Sequence, residues 1–141
     1  MSEHRLEGGG LGPVLLTLLA LWVLGRGEGA DTRPLATGEP AAVRIADTAR
    51  RAGFPESSIP KAIDIADCES GLGRNVVGDR HLVDNRWGPS LGPWQIRSRH
   101  ADRGTGRPRD PARLLDWDFN AASAYAISKA GRDWSAWSCD R

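Results

Sequence analysis

The stretch Ile59-Pro60-Lys61-Ala62-Ile63-Asp64-Ile65-Ala66-Asp67-Cys68-Glu69-Ser70-Gly71 constrains this chain more than any other. Pro60 falls in what would be the first turn of a helix, where a missing N–H does no harm, and Gly71 is suited to end it. Ser58 is a cap-type residue at its start. Ile59, Ala62, Ile63 and Ala66 recur at i, i+3, i+4 and i+7, which predicts one core-facing stripe. Glu69 follows Ile65 by four positions and Ala66 by three, so its carboxylate projects beside that stripe, with Asp64 and Asp67 nearer the polar edge. A glutamate over apolar side chains at a helix C-terminus is poorly solvated and feels the negative end of the macrodipole. Both effects favour the protonated carboxyl, the form a general acid needs at neutral pH. The same spacing also describes a surface glutamate in the last turn of a core helix, which is the commoner case.

At 141 residues the chain has room for one modest domain with a single core. Its net charge of +1 gives no general pull towards nucleic acid or an anionic membrane. Tryptophan is in excess, with six copies, five of them from Trp87 onward. Such residues suit carbohydrate faces and serve equally as core material.

Residues 8–25 carry no charge, and their strongly apolar part, Val14 to Leu24, is short for a membrane span and fits a signal-peptide apolar region. Residues 1–30 are therefore expected to be an export signal or an N-terminal membrane anchor. Residues 31–40 have linker composition, and residues 41–141 form the domain. Ala41 to Ala52 reads as a helix with Val43, Ile45, Ala46 and Ala49 inward and Gly53 as its stop. From Gly71 to Gln95 five glycines and two prolines mark an irregular lobe, with a short hairpin expected through 75–77 and 94–96. Residues 97–113 hold six arginines against Asp102 and Asp110. No aromatic residues interleave with them, so a solvated loop is favoured over a basic patch for an anionic polymer. Asp116 or Asp118 can cap a last helix running to Ala130, with Phe119, Ala122, Ala126 and Ala130 on its buried face and Tyr125 alongside.

Several chemistries find no support in the sequence. His4, His81, His100 and two distant cysteines make no metal-ligand spacing, and Asp79, Asp84 and Asn85 lack that of a calcium loop. No metal and no cofactor is expected. Gly104-Thr105-Gly106 is not a phosphate loop, since no Lys-Ser/Thr follows. A serine or cysteine nucleophile lacks a credible histidine base. In a cytosolic protein Cys68 and Cys139 would be free thiols. Behind an apolar N-terminus they read as one disulfide, which draws the tail with Trp134 and Trp137 towards Glu69.

Cys68-Glu69-Ser70-Gly71, then Gly92-Pro93-Trp94-Gln95-Ile96, then Trp134-Ser135-Ala136-Trp137-Ser138-Cys139, resemble in that order the lysozyme-like superfamily. The similarity is to resuscitation-promoting factors, to soluble lytic transglycosylase domains and to actinobacterial or phage lysozyme-like modules, and it spans about residues 41 to 141. The resemblance implies a mainly α, α+β lysozyme-like fold: a small helical domain with an irregular lobe. It implies Glu69 as catalytic acid and the Cys68–Cys139 pairing. It further implies that Ser70, Gln95, Trp94, Tyr125 and Trp134 serve the sugar site, with Tyr125 contacting the glutamate. Pro93 and Trp94 stand where the family carries Leu-Met.

The expected activity is cleavage of the β-1,4 bond between N-acetylmuramic acid and N-acetylglucosamine in peptidoglycan, with Glu69 as acid and then base and a 1,6-anhydro product. One alternative is a hydrolytic muramidase using Asp79 or Asp84 as second carboxylate. Another is a glycan-binding or signalling module that does not cleave. The expected partner is the glycan strand, not nucleic acid, acted on by a monomer that is secreted, wall-associated or anchored through residues 8–25.

Overall fold

A computed structural model describes residues 39–140, so the expected export segment or anchor and most of the linker lie outside the described residues. Three helices, α1 (Ala41–Ala52), α2 (Ile59–Ser70) and α3 (Trp117–Ile127), frame the domain. Between α2 and α3 stands a three-stranded antiparallel sheet of β1 (Val77–Gly78), β2 (Trp87–Leu91) and β3 (Ile96–Arg99) in that spatial order. This is the helical domain with an irregular lobe that the sequence leads one to expect. No helix among the described residues is long and apolar enough to cross a membrane.

Helix α1 buries Ile45, Ala46, Thr48 and Ala49 and stops at Gly53, which takes a left-handed φ of 99°. Val43, expected inward, is 43% exposed. It lies two residues from Ile45, hence about 200° around the helix, on the opposite face. Helix α2 buries Ile59, Ala62, Ile65, Ala66 and Ser70. Ile65 thus takes the central place expected of Ile63, which stays half-buried at the core margin. Ser58 makes no side-chain cap: it is the last residue of a 3-10 turn, Glu56–Ser58, that runs straight into α2. Gly71 ends the helix with a left-handed φ of 62°.

Helix α3 departs further from expectation. Asp116 caps it, its carboxylate accepting from Phe119 N–H at 2.8 Å. The helix ends at Ile127 rather than Ala130, because Lys129 and Ala130 already have left-handed φ values of 53° and 62°. Its buried face is Asn120, Ala121, Ser123 and Ala124, whereas Ala122 and Ala126 are exposed and Phe119 and Ala130 only half-buried. A polar residue therefore holds the centre of the interface. Asn120 donates from Nδ2 to Leu91 O at 2.8 Å and to Leu114 O at 3.0 Å, while its Oδ1 accepts from Trp94 N–H at 3.0 Å. Apolar periodicity cannot find such a face.

The sheet also corrects the expected hairpin. Val77 pairs with Leu91 and Gly78 with Ser90, not with residues 94–96. β2 in turn pairs with β3 through Ser90 to Arg97 and Leu91 to Ile96, with a bulge between Trp87 and Ser90. Gly92 to Gln95 form the turn, closed by Gln95 N–H donating to Gly92 O at 3.0 Å. Gly92 has φ 77°, and a Cβ there would lie 2.6 Å from Leu114 O and collide with the Asn120 amide. The position accepts only glycine.

That turn drives Trp94 into the centre of the core, where it is fully buried. Its indole N–H donates to Ala62 O of α2 at 3.0 Å, and its own carbonyl accepts from Trp137 Nε1 at 2.6 Å. In the tail Trp134 stacks on Phe54 with ring centres 5.6 Å apart, and Trp137 packs 4.9 Å from Trp134. A disulfide joins Cys68 to Cys139 across 71 residues. The arginine-rich loop is ordered around Asp110, which is fully buried. Burial alone would raise this carboxyl, but N–H groups of Gly106, Gly104 and Ala112 hold it below the usual carboxylate range.

Two outcomes follow. Asn120→Ala leaves two carbonyls and one N–H without partners and should lower the unfolding free energy by about 3 kcal/mol in urea titration. Cys68→Ser with Cys139→Ser removes a long covalent loop, and chain entropy puts the stability lost at up to about 4 kcal/mol. The comparison is a thermal melt of the oxidised chain against the double variant, and coincident curves would refute it.

Candidate active site

Glu69 occupies the last turn of α2, one residue after the disulfide cysteine Cys68. Its Oε1 accepts from Cys139 N–H at 3.1 Å and from Ser138 Oγ–H at 3.2 Å. The disulfide therefore holds its own partner's backbone donor against the neighbouring carboxylate. The tail fixes one oxygen of Glu69 and leaves Oε2 with no protein donor among the described residues.

An open cleft of about 250 Å³ lies at this carboxylate. Helix α2 contributes Glu69, the lobe Asp79 and Ser90, and β3 with its turn Gln95, Ile96 and Arg97. Arg109 reaches in from the arginine-rich loop, Ile127 from the end of α3, and Ala136, Trp137 and Ser138 from the tail. A second surface hollow, lined by residues 135–138 and Asp140, shares Ala136, Trp137 and Ser138 with the first. The expectation that apolar groups surround the Glu69 carboxyl is not met, because most of the lining is polar or charged.

The lobe supports the cleft with strained backbone. Gln95 has φ 44° and Asp79 φ 54°, values that non-glycine residues adopt at a cost of about 1 kcal/mol or more. Gln95 is held by its Nε2 donating to Gly92 O at 2.9 Å and Asn75 O at 3.0 Å. Its Oε1 passes so close over Gly78 that a Cβ there would displace the Gln95 amide. A single step along the turn separates Trp94 in the core from Gln95 in the cleft.

The two carboxylates considered as partners for Glu69 separate cleanly. Asp79 lines the cleft and accepts from Ser90 Oγ–H. Asp84 instead closes a turn, accepting from Trp87 N–H at 2.6 Å and Arg86 N–H at 2.8 Å. Those two N–H groups, Trp87's first, hold its carboxyl below the usual range. It does not line the cleft.

Other residues expected at the sugar site have structural places. Ser70 is buried, its Oγ 2.6 Å from Pro93 O and 3.0 Å from Ala66 O, and it accepts from Gly73 N–H at 2.8 Å. It ties the end of α2 to the Trp94 turn and presents nothing to a ligand. Trp94 and Trp134 are core side chains at 0% and 5% exposure, so neither offers a free face to sugar. Tyr125 packs edge-on against Phe54, ring centres 5.3 Å apart, and does not line the cleft. The aromatic residue that does line it is Trp137. Sequence reasoning missed Arg97, Arg109, Ser90 and Ser138 as lining residues. Ser138 had a signal, since pairing Cys139 with Cys68 brings its neighbour beside Glu69. Arg109 had none, because only the Asp110-centred loop turns it inward.

Among the described residues no group of three or more His, Cys, Asp or Glu side chains is placed to hold a metal ion. The arrangement offers proton transfer by a carboxyl at the edge of an open, mostly polar cleft. No curated protein and no solved structure matches this chain. A family model described as a lysozyme-like domain matches residues 46–139, which takes in α1 from Ala46 onward, all of α2 and α3, the sheet and both cysteines. The chain therefore belongs to the lysozyme-like domain family, whose activity is of the glycosidase type and directed at peptidoglycan.

Proposed function

We propose that this protein cleaves the β-1,4 bond between N-acetylmuramic acid and N-acetylglucosamine in peptidoglycan strands, with Glu69 as general acid and then base. The observation that carries the reading is Glu69 itself: a carboxyl at a helix end, one oxygen held by the tail and the group lining a cleft. Glu69 protonates the departing glycosidic oxygen. Once deprotonated it takes the proton of the C6 hydroxyl as that oxygen closes on C1, giving a 1,6-anhydromuramoyl product. Gln95 contributes a polar wall for the sugar, and the edge of the largely buried Trp137 closes the cleft beside it. Both the family and the disulfide point to work outside the cytoplasm.

The position of Asp79 in the same cleft favours a second reading, hydrolysis with Asp79 as the second carboxylate. A retaining hydrolase needs its two carboxyl groups about 5 Å apart, and an inverting one needs room between them for water. Asp84 is not a candidate for either role, because its carboxylate is committed to a turn.

Glu69→Gln keeps size and hydrogen bonding and removes the proton donor. Muropeptide release from purified cell walls should fall by about a hundred- to ten-thousand-fold with the thermal melt unchanged. A variant that keeps a tenth of the parent rate would falsify the assignment. Mass spectrometry of the products decides the mechanism. Anhydro ends should predominate, and Asp79→Asn should lower the rate by less than about tenfold. Reducing muramic-acid ends, together with an Asp79→Asn loss as deep as that of Glu69→Gln, would establish hydrolysis instead.

A further inference from the structure

The cleft holds two cations that the catalytic reading does not use. Five cations among the described residues, Arg50, Arg51, Lys61, Arg107 and Lys129, form ion pairs with carboxylates. Arg97 and Arg109 are among those that form none, and they are the two cations that line the cleft. Main-chain carbonyls hold them in place. Arg97 donates from Nε to Gly88 O at 2.7 Å and from Nη2 to Leu82 O. Arg109 donates from Nη1 to Arg97 O at 2.9 Å, its guanidinium carbon lies 5.5 Å from the centre of the Trp87 ring, and its carbonyl accepts from Arg99 N–H at 3.0 Å. Neither acid of the cleft pairs with them: Glu69 Oε1 is held by the tail and Asp79 by Ser90.

A guanidinium has five N–H donors, and carbonyls use only two of Arg97's and one of Arg109's. Taking a cation partly out of water without a counter-charge is costly. Arg109 bears this out. Burial pushes its pKa down, Asp102 partly offsets this, and the nearby charge of Arg99 adds to the lowering. Arg99 is itself short of partners, since its buried Nε makes no hydrogen bond. A fixed, half-buried, unpaired arginine pair suits a planar anion bound by two parallel N–H···O bonds.

We propose that Arg97 and Arg109 form a carboxylate-binding subsite of the cleft, which reads the acidic substituent of the muramic-acid residue rather than the sugar ring. The proposal rests on the peptidoglycan reading above and adds what selects the strand. Muramic acid differs from N-acetylglucosamine by its lactyl ether. In a strand stripped of peptide the lactyl group is a free carboxylate. In an intact strand it is amidated, and the stem peptide carries the carboxylates instead. Chitin oligomers have neither.

Calorimetry with the full chain carrying Glu69→Gln, which binds without cleaving, separates these cases. The ligands are chitin oligosaccharides, peptide-free glycan strands and stem-bearing glycan strands. At least one of the two charged strands should bind about tenfold more tightly than chitin, as one charge-assisted bidentate contact allows. Tighter binding of peptide-free strands assigns the lactyl carboxylate, and tighter binding of stem-bearing strands assigns the stem. Adding Arg109→Gln should cut the preference to about twofold with chitin binding unchanged, while Arg109→Lys should retain part of it. Raising salt from about 0.05 to 0.5 M should weaken the same preference without any substitution, which covers the case in which Arg109→Gln does not fold. Equal affinity for all three ligands overturns the subsite, as does a preference that survives both Arg109→Gln and salt. Wall cleavage by the unsubstituted chain, measured in parallel, keeps the two readings apart. Cleavage without a carboxylate preference removes the subsite alone, and absence of both cleavage and glycan binding removes the function with it.

Discussion

Trp94 is the point on which the rest of this small domain turns. Its indole N–H is spent on a carbonyl inside α2, its backbone N–H on Asn120 of α3, and its carbonyl on the indole of Trp137 in the tail. One fully buried residue at the tip of a sheet turn thus connects α2, α3, the sheet and the C-terminus. Each of its three polar groups has a partner, which is what allows so large an amphipathic side chain to sit at the centre. Ser70 repeats the device at the end of α2, binding the carbonyl of Pro93, the neighbour of Trp94.

The site inherits its order from this frame. Because the turn is fixed by Trp94, the next residue, Gln95, is forced into a left-handed conformation and emerges into the cleft. Because Trp137 is tied to the Trp94 carbonyl, the tail arrives at the end of α2, where the disulfide pins it beside Glu69. The two tail donors on Glu69 are then a consequence of packing several residues away. A domain with so little core gains from this economy, since the same contacts that stabilise it also orient the carboxyl.

The charged half of the cleft is built differently. Asp110, buried and satisfied by three N–H groups, shapes the loop that carries Arg109, and carbonyls of β2, β3 and the 3-10 turn at Leu82 hold the two guanidinium groups. In the cleft, unlike at the surface ion pairs, positive charge is therefore placed by backbone carbonyls rather than balanced by carboxylates.

The sequence by itself determined the parts that local chemistry dictates. Pro60 and Gly71 bound α2, Gly53 stops α1, and the spacing of small and branched residues made both helices legible. The pair of cysteines behind an apolar N-terminus pointed to the covalent link, and the resemblance carried by Cys-Glu-Ser-Gly pointed to the carboxyl beside it. What the sequence could not settle was which side each residue faces once partners exist. The buried face of α3 is set by Asn120, a polar residue chosen for three hydrogen bonds to segments far along the chain, so apolar periodicity pointed one residue away. The strand pairing of Val77 with Leu91 depended on Gly92 and Pro93 making a turn rather than a strand. Trp94 and Trp134 read equally well as sugar platforms or as core, and only packing against Ala62, Phe54 and Trp137 decided for the core. Asp79 and Asp84 are alike in composition and neighbourhood, yet one lines the cleft and the other caps a turn. That distinction depends on where the lobe folds back onto the helices, a long-range fact that no local spacing encodes.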